Sequence, residues 1–143
     1  MMKIIRITTD NEIDVLDFPK GTISEEMDAL RKMIGDDCRT AEHVMPRRLY
    51  SELKASAQPS RREGSAVSML VDEDGIGKVL PLNVIGSYLY ETDRHGNPIL
   101  GNILIIGEYL DLDGISFSGL DDRELNRLLM KFRHLAELGR EPV

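Results

Sequence analysis

Residues 83–95 combine several side chains that could hold a small ligand. This short span contains an amide, two aromatic rings, a planar cation and a titratable ring, on Asn83, Tyr88, Tyr90, Arg94 and His95. Such a set can stack a base or hold a phosphate. The span therefore predicts a small-ligand or nucleotide site. Tyrosines packed at a sheet edge beside an exposed Arg94–His95 turn would explain the same residues without a ligand.

The patterns of nucleophilic and metal-dependent enzymes are missing. Cys38 and His43 lie five positions apart, but nothing in the sequence supplies the third group that would orient a base, and a lone cysteine is typical of a small buried side chain. The histidines at 43, 95 and 134 are too scattered for a metal-binding helix. One cysteine also provides neither an internal disulfide nor a four-thiolate zinc site.

Two acidic turns and one glycine–lysine segment resemble ligand loops only in part. Residues 72–75 and 111–114 place acids before glycine, but Lys78 and Val79 after the first turn and Ile115 and Ser116 after the second do not fit the pattern of a calcium loop. The segment 75–78, Gly-Ile-Gly-Lys, lacks the first glycine and the hydroxyl residue of a phosphate-binding loop. We therefore expect no catalytic residue, no metal and no cofactor, and a non-enzymatic protein.

Charge is unevenly distributed along the 143 residues. The net charge of −7 divides into −4 for residues 1–46, +3 for residues 47–64 and −6 for residues 65–143. The net charge disfavours nucleic acid as a direct ligand, whereas a polarised surface suits contacts with a protein partner. Four arginines of the basic segment are candidate partner-binding residues, namely Arg47, Arg48, Arg61 and Arg62.

The spacing of apolar residues predicts the elements that would position these groups. The first half of the chain should form a strand pair (2–8 and 12–18), a helix opened by the capping box at 22–25, a short strand (41–45) and a short helix (47–57). The second half should form a strand pair (65–71 and 76–80), a short helix capped by Asn83, a buried strand (99–110) and a helix near 121–138.

This order of elements predicts the α+β class, with an antiparallel or mixed sheet and helices packed mainly on one face. We expect a single domain over residues 1–143, with a flexible basic loop near 56–65. The last helix has a wide apolar stripe with Met130 beside it, which predicts a homodimer unless the monomer covers the stripe. The longest aliphatic run, residues 103–106, is far short of the roughly 20 residues that span a membrane, so we expect a cytoplasmic protein.

Three short motifs carry a resemblance to a known family. They are Val-Asp-Glu-Asp-Gly at 71–75, Leu-Pro-Leu-Asn at 80–83 and the segment 99–107, which begins Ile-Leu-Gly-Asn. Together they resemble the core of an uncharacterised domain-of-unknown-function family of small phage, plasmid and conjugative-element proteins. Asn102 stands where that family's pattern has aspartate. The resemblance implies a mobile-element setting and no known reaction.

We therefore expect a binding protein of a mobile genetic element that contacts a protein partner, in host defence or replication. A small-ligand or nucleotide-binding protein that uses the Asn83–His95 region is the alternative, and an enzyme without a recognisable motif ranks third.

Overall fold

A computed structural model describes residues 2–140, the last of them by its backbone alone. Its centre is a six-stranded sheet in which every pairing is antiparallel. The strands are β1 (Lys3–Ile7), β2 (Ile13–Asp17), β3 (Ala41–Val44), β4 (Ala66–Asp72), β5 (Ile103–Asp111) and β6 (Gly114–Ser118). Their order is β2-β1-β5-β4-β3, and β6 pairs with the second half of β5.

The described residues also form five helices: α1 (Ile23–Ile34), α2 (Arg47–Ser51), α3 (Val84–Leu89), α4 (Thr92–His95) and α5 (Asp122–Arg140). Helices α2, α3 and α5 pack on one face of the sheet, where Phe132 of α5 is completely buried. Helix α1 covers the opposite face through Leu30 and Ile34. The predicted α+β class is confirmed, as are helices packed mainly on one face of the sheet.

Local sequence explains where the two long helices begin. The Thr22 hydroxyl accepts a hydrogen bond from the Glu25 amide, and the Glu25 carboxylate accepts one from the Thr22 amide, which completes the predicted capping box. Asp121 caps α5 by accepting a hydrogen bond from the Glu124 amide at 2.8 Å. The apolar stripe of α5 then packs into the larger core cluster.

One predicted strand is replaced by a turn. Residues 76–79 form consecutive turns, and the Lys78 ammonium donates to the Asp72 carboxylate and to the Asp37 carbonyl, each at 2.7 Å. These bonds hold Lys78 beside Asp72 and Asp37. The prediction of a strand at 76–80 that pairs with β4 is wrong. The edge of β4 is instead covered by β3.

The second difference is a strand that was not predicted. A two-residue turn, Leu112–Asp113, connects β5 to β6, and β6 runs back along β5 from Gly114 to Ser118. The aspartate–glycine step followed by alternating Ile115 and Phe117 is a hairpin signal, but acids before a glycine are also typical of an isolated turn.

The basic loop at 56–65 contains no helix or strand and is anchored by hydrogen bonds. The Ser60 carbonyl accepts from the Leu110 amide at 2.7 Å, and the Gly64 amide donates to the Ser118 hydroxyl at 2.9 Å. Its flexibility stays a prediction. Within the described part of the chain, no helix is long and apolar enough to cross a membrane.

Candidate functional site

Asn83 occupies a buried structural position. Its side-chain oxygen accepts from the Gly86 amide at 2.8 Å, which caps α3. Its amide group donates to the Ile7 carbonyl at 3.0 Å and to the Gly101 carbonyl at 2.9 Å. Because Asn83 is completely buried and bonded through both its oxygen and its nitrogen, its geometry suits a clamp between α3, β1 and the segment before β5.

Tyr88 lies beneath Arg48. The Arg48 guanidinium stands 4.7 Å from the centre of the Tyr88 ring and donates to both oxygens of the Asp93 carboxylate, at 2.7 and 2.9 Å. The Tyr88 hydroxyl donates to the Glu52 carboxylate. The exposed fraction of the Arg48 side chain is 12%, so this arginine ties α2 to α3 and α4 and offers little of its charge to a partner.

The remaining members of the predicted ligand site also bond within the chain. The Tyr90 and His95 rings meet edge to face at 4.9 Å, and His95 Nε2 lies 2.8 Å from the Tyr90 carbonyl oxygen. Arg94 forms an ion pair with Glu91 at 3.3 Å. The fold thus brings Tyr90 and His95 into contact, whereas Tyr88 packs against Arg48. A nucleotide would have to replace bonds that already exist, and ligand binding here stays a prediction.

Arginines of the basic segment form ion pairs with different parts of the chain. Arg47, beside Arg48 on α2, is exposed and lies 3.9 Å from Glu91. Arg62 forms an ion pair with Asp121 at 2.6 Å, at the start of α5, next to the exposed Arg61. Partner binding by these residues stays a prediction, because exposed charge alone names no partner.

A groove of about 570 Å³ lies between the first half of α1 and strand β6, and we refer to it as the α1–β6 groove. Apolar side chains just before β1, just after β2, on α1 and on β6 line it: Met2, Phe18, Ile23, Met27, Ile115 and Phe117. The exposed fractions of Ile23 and Ile115 are 78% and 59%. Exposed apolar surface of this kind, enclosed in a concave site, is typical of binding sites.

Carboxylates surround this apolar floor. Glu26, Glu63 and Asp111 line the groove, whereas Lys20 is the one basic residue among its lining. Burial raises the pKa of the Glu26 carboxyl, and the neighbouring Glu63 carboxylate raises it further. Burial together with Asp111 and Glu63 likewise raises the pKa of the Tyr109 hydroxyl. The groove therefore has a negative potential that a cation would relieve.

Close packing of glycines holds β6 and the chain after it against β5. A Cβ atom on Gly107 would overlap the Gly119 carbonyl oxygen and come within 3.0 Å of the Gly64 Cα atom. Gly64 has a φ of +74°, a conformation that side chains rarely adopt. The side of the α1–β6 groove that β6 and the chain after it form therefore depends on residues without side chains.

A buried acid lies under the same side of the groove. Glu108 faces Phe117 across the β5–β6 pair, and its Oε1 atom is 2.9 Å from His43 Nε2. The His43 ring stands 5.6 Å from the Phe117 ring. Ser68, on β4, is completely buried, and its hydroxyl has no hydrogen-bond partner among the described residues. Since no base reaches the hydroxyl, these residues do not form an activated nucleophile.

Metal and thiol chemistry find no support in the described geometry. Among residues 2–140, no three His, Cys, Asp or Glu side chains are grouped to hold a metal ion. Burial raises the pKa of the Cys38 thiol, and Asp72 adds to the effect. A raised pKa reduces the thiolate fraction, so Cys38 is expected to be unreactive.

Comparison of the chain with protein-family models, with curated proteins and with solved structures finds no match.

Sequence reasoning missed the α1–β6 groove because its lining comes from four separate segments of the chain. The available signal was local. The Asp113–Gly114 step with Ile115 and Phe117 after it is a signal for β6, and the exposed Ile23 occupies the first position of α1.

Proposed function

We propose that this protein is a non-enzymatic binding protein that engages a protein partner through the α1–β6 groove. The observation that carries the proposal is the combination of an exposed apolar floor with a carboxylate rim, including a half-buried Glu26 next to Glu63. A partner segment with apolar and basic side chains would cover the floor and neutralise the rim.

A second copy of this chain is a poor occupant of the groove. Each molecule carries a net charge of −7, and its own groove is lined by three carboxylates and one lysine. Two such surfaces would repel each other, since like charges placed face to face disfavour association. The partner we propose is therefore a different, basic protein.

The biological setting is a separate part of the proposal. We propose that the protein belongs to a mobile genetic element and contacts a host or element protein in defence or replication. The support is the sequence resemblance of residues 71–75, 80–83 and 99–107 to proteins of such elements. Neighbouring genes of phage, plasmid or conjugative origin are the expected observation, and a conserved housekeeping neighbourhood would contradict this setting.

Peptide binding to the full chain tests the groove. The probe is a fluorescent peptide of alternating valine and lysine that spans the five residues of β6, and the comparison peptide alternates valine and glutamate. We expect the valine–lysine peptide alone to bind. Its affinity should fall at least about tenfold in the double variant Glu26→Lys/Glu63→Lys, because two attractive contacts become repulsive.

The matched control reverses two exposed acids outside the groove, Glu73→Lys and Glu137→Lys. This control variant changes the net charge by the same amount as the groove variant. Its loss of affinity therefore measures the electrostatic attraction of the peptide to the molecule as a whole. Equal losses in the two double variants, or equal binding of the two peptides, would overturn the proposed groove.

A further inference from the structure

Strand β6 has one edge that pairs with β5 and one free edge. The hydrogen bonds of β5 establish which backbone amides and carbonyls of β6 point toward the free edge. The Leu110 amide donates to Ser60, and the Glu108 carbonyl accepts from the Ser65 hydroxyl, so both groups point away from β6. Residues that face each other in an antiparallel pair share the same hydrogen-bonding state. Opposite them, Ile115 and Phe117 therefore direct their amides and carbonyls outward.

The outward groups of Ile115 and Phe117 find no hydrogen-bond partner in the described part of the chain. The reason is the path of the backbone after β2. Along the sheet, β6 continues the position of β1, and β2 lies beside β1 up to the pairing of the Phe18 amide with the Met2 carbonyl. Pro19 has no amide to continue this ladder, and the chain turns into α1. The edge of β6 is left facing the α1–β6 groove.

The other two edge strands carry features that discourage pairing, whereas β6 does not. Edge strand β2 contains Asp14 and Asp17, and β3 contains Glu42 and ends just before Pro46. Charged side chains and proline are common protections of a sheet edge. Strand β6, Gly-Ile-Ser-Phe-Ser, has neither.

We propose that the partner segment binds in an extended conformation and adds to the sheet as a strand along the free edge of β6. This inference rests on the proposed function and specifies the binding mode. The outward groups of Ile115 and Phe117 would form the main-chain hydrogen bonds, and apolar side chains of the segment would enter the groove beside Ile23 and Met27.

Charge selects the composition of the segment. Glu26, Glu63 and Asp111 lie along the groove, so lysines or arginines at alternate positions of the added strand would meet carboxylates. The occupant is thus a basic stretch of polypeptide with apolar residues at the intervening positions.

Backbone methylation of the valine–lysine peptide tests the binding mode without changing the protein. In an added strand, alternate residues direct their amides toward β6. One peptide is N-methylated at every valine and the other at every lysine. We expect one of the two to lose at least about tenfold in affinity and the other to stay within about threefold, because only one set donates to β6.

A variant of the protein makes the reciprocal test. Ile115→Pro removes the outward amide at a position outside the β5–β6 hydrogen bonds, and Ile115→Thr keeps it. The proline variant should lose peptide binding and the threonine variant should retain it. If the proline variant does not fold, the methylated peptides decide alone.

Binding of the unmodified peptide with equal affinities for both methylated forms would overturn strand addition and leave the proposed groove intact. Failure of the unmodified valine–lysine peptide to bind would overturn both.

Discussion

Asn83 shows how a residue chosen for its chemistry can be explained by structure. Its side chain joins α3 to β1 and to the segment before β5, to which Ser87 of α3 also bonds. The sequence predicted its role as a helix cap, but the two carbonyl partners, Ile7 and Gly101, come from distant parts of the chain. Tertiary contacts of that kind cannot be derived from local spacing.

Replacement of Asn83 measures this role. Asn83→Ala should lower the free energy of unfolding by about 2–3 kcal/mol, because the cap is lost and two buried carbonyls lose their donor. Asn126→Ala, at an exposed position of α5, should change it by less than about 0.5 kcal/mol. Urea denaturation gives both values. An Asn83→Ala protein as stable as Asn126→Ala would contradict the clamp.

The His43–Glu108 pair makes a second prediction at this scale. Glu108 is buried, and its described side-chain partner is His43. His43→Ala should destabilise the fold by about 1–3 kcal/mol because it leaves a buried carboxylate without its partner. Adding Glu108→Gln should recover part of that loss. Additive effects of the two substitutions, measured in a double-mutant cycle, would show that the pair does not interact.

Among the elements, the ion pair between Arg48 and Asp93 joins the short helices α2 and α4. The hydrogen bond from Arg48 lowers the pKa of the Asp93 carboxyl below its ordinary value of 3.8. A carboxyl with a lowered pKa stabilises the fold above its unfolded pKa, and this contribution disappears as the pH falls through the folded value.

The stability of the wild type should therefore fall in acid more steeply than that of Asp93→Asn, below about pH 4. At neutral pH the variant should be the less stable of the two. Urea midpoints measured across this pH range provide the check. Parallel curves for the two proteins would show that the Arg48–Asp93 pair does not stabilise the fold.

Elements with a strong local pattern were predictable, and those defined by pairing were not. Helices α1 and α5 carry their caps and apolar stripes within the helix itself, and the β1–β2 hairpin consists of neighbouring segments. Strand β6 and residues 76–80 were not predicted correctly, because both segments follow acidic turns and have no local signal of comparable strength. Only the available sheet edge decides whether the chain pairs there, and β3 already occupies the edge of β4.

At the scale of the whole molecule, the arrangement of sheet and helices forms the groove through which we propose binding. Helices α2, α3 and α5 cover one face of the sheet. Helix α1 covers part of the opposite face and leaves the α1–β6 groove beside β6. The charge distribution predicted a polarised surface for protein contacts. The position of the acids around an apolar floor depends on the fold and was outside the reach of the sequence.

Burial of the α5 stripe bears on the predicted homodimer. Leu128, Phe132 and Ala136 pack inside the monomer, and Met130, with 74% of its surface exposed, lies outside the stripe. We therefore expect light scattering to give the monomer mass of 16.1 kDa. A dimer mass that returns to the monomer value in Met130→Lys would instead place the contact on α5.

Hydrogen exchange of the backbone amides tests strand addition most directly. In the free protein, the amides of Ile115 and Phe117 point outward from the sheet edge and should exchange quickly. Saturation with the valine–lysine peptide should slow both by at least about tenfold, because each gains a hydrogen-bond acceptor. Unchanged exchange at Ile115 and Phe117 with the peptide bound, or protection confined to residues 83–95, would contradict the account.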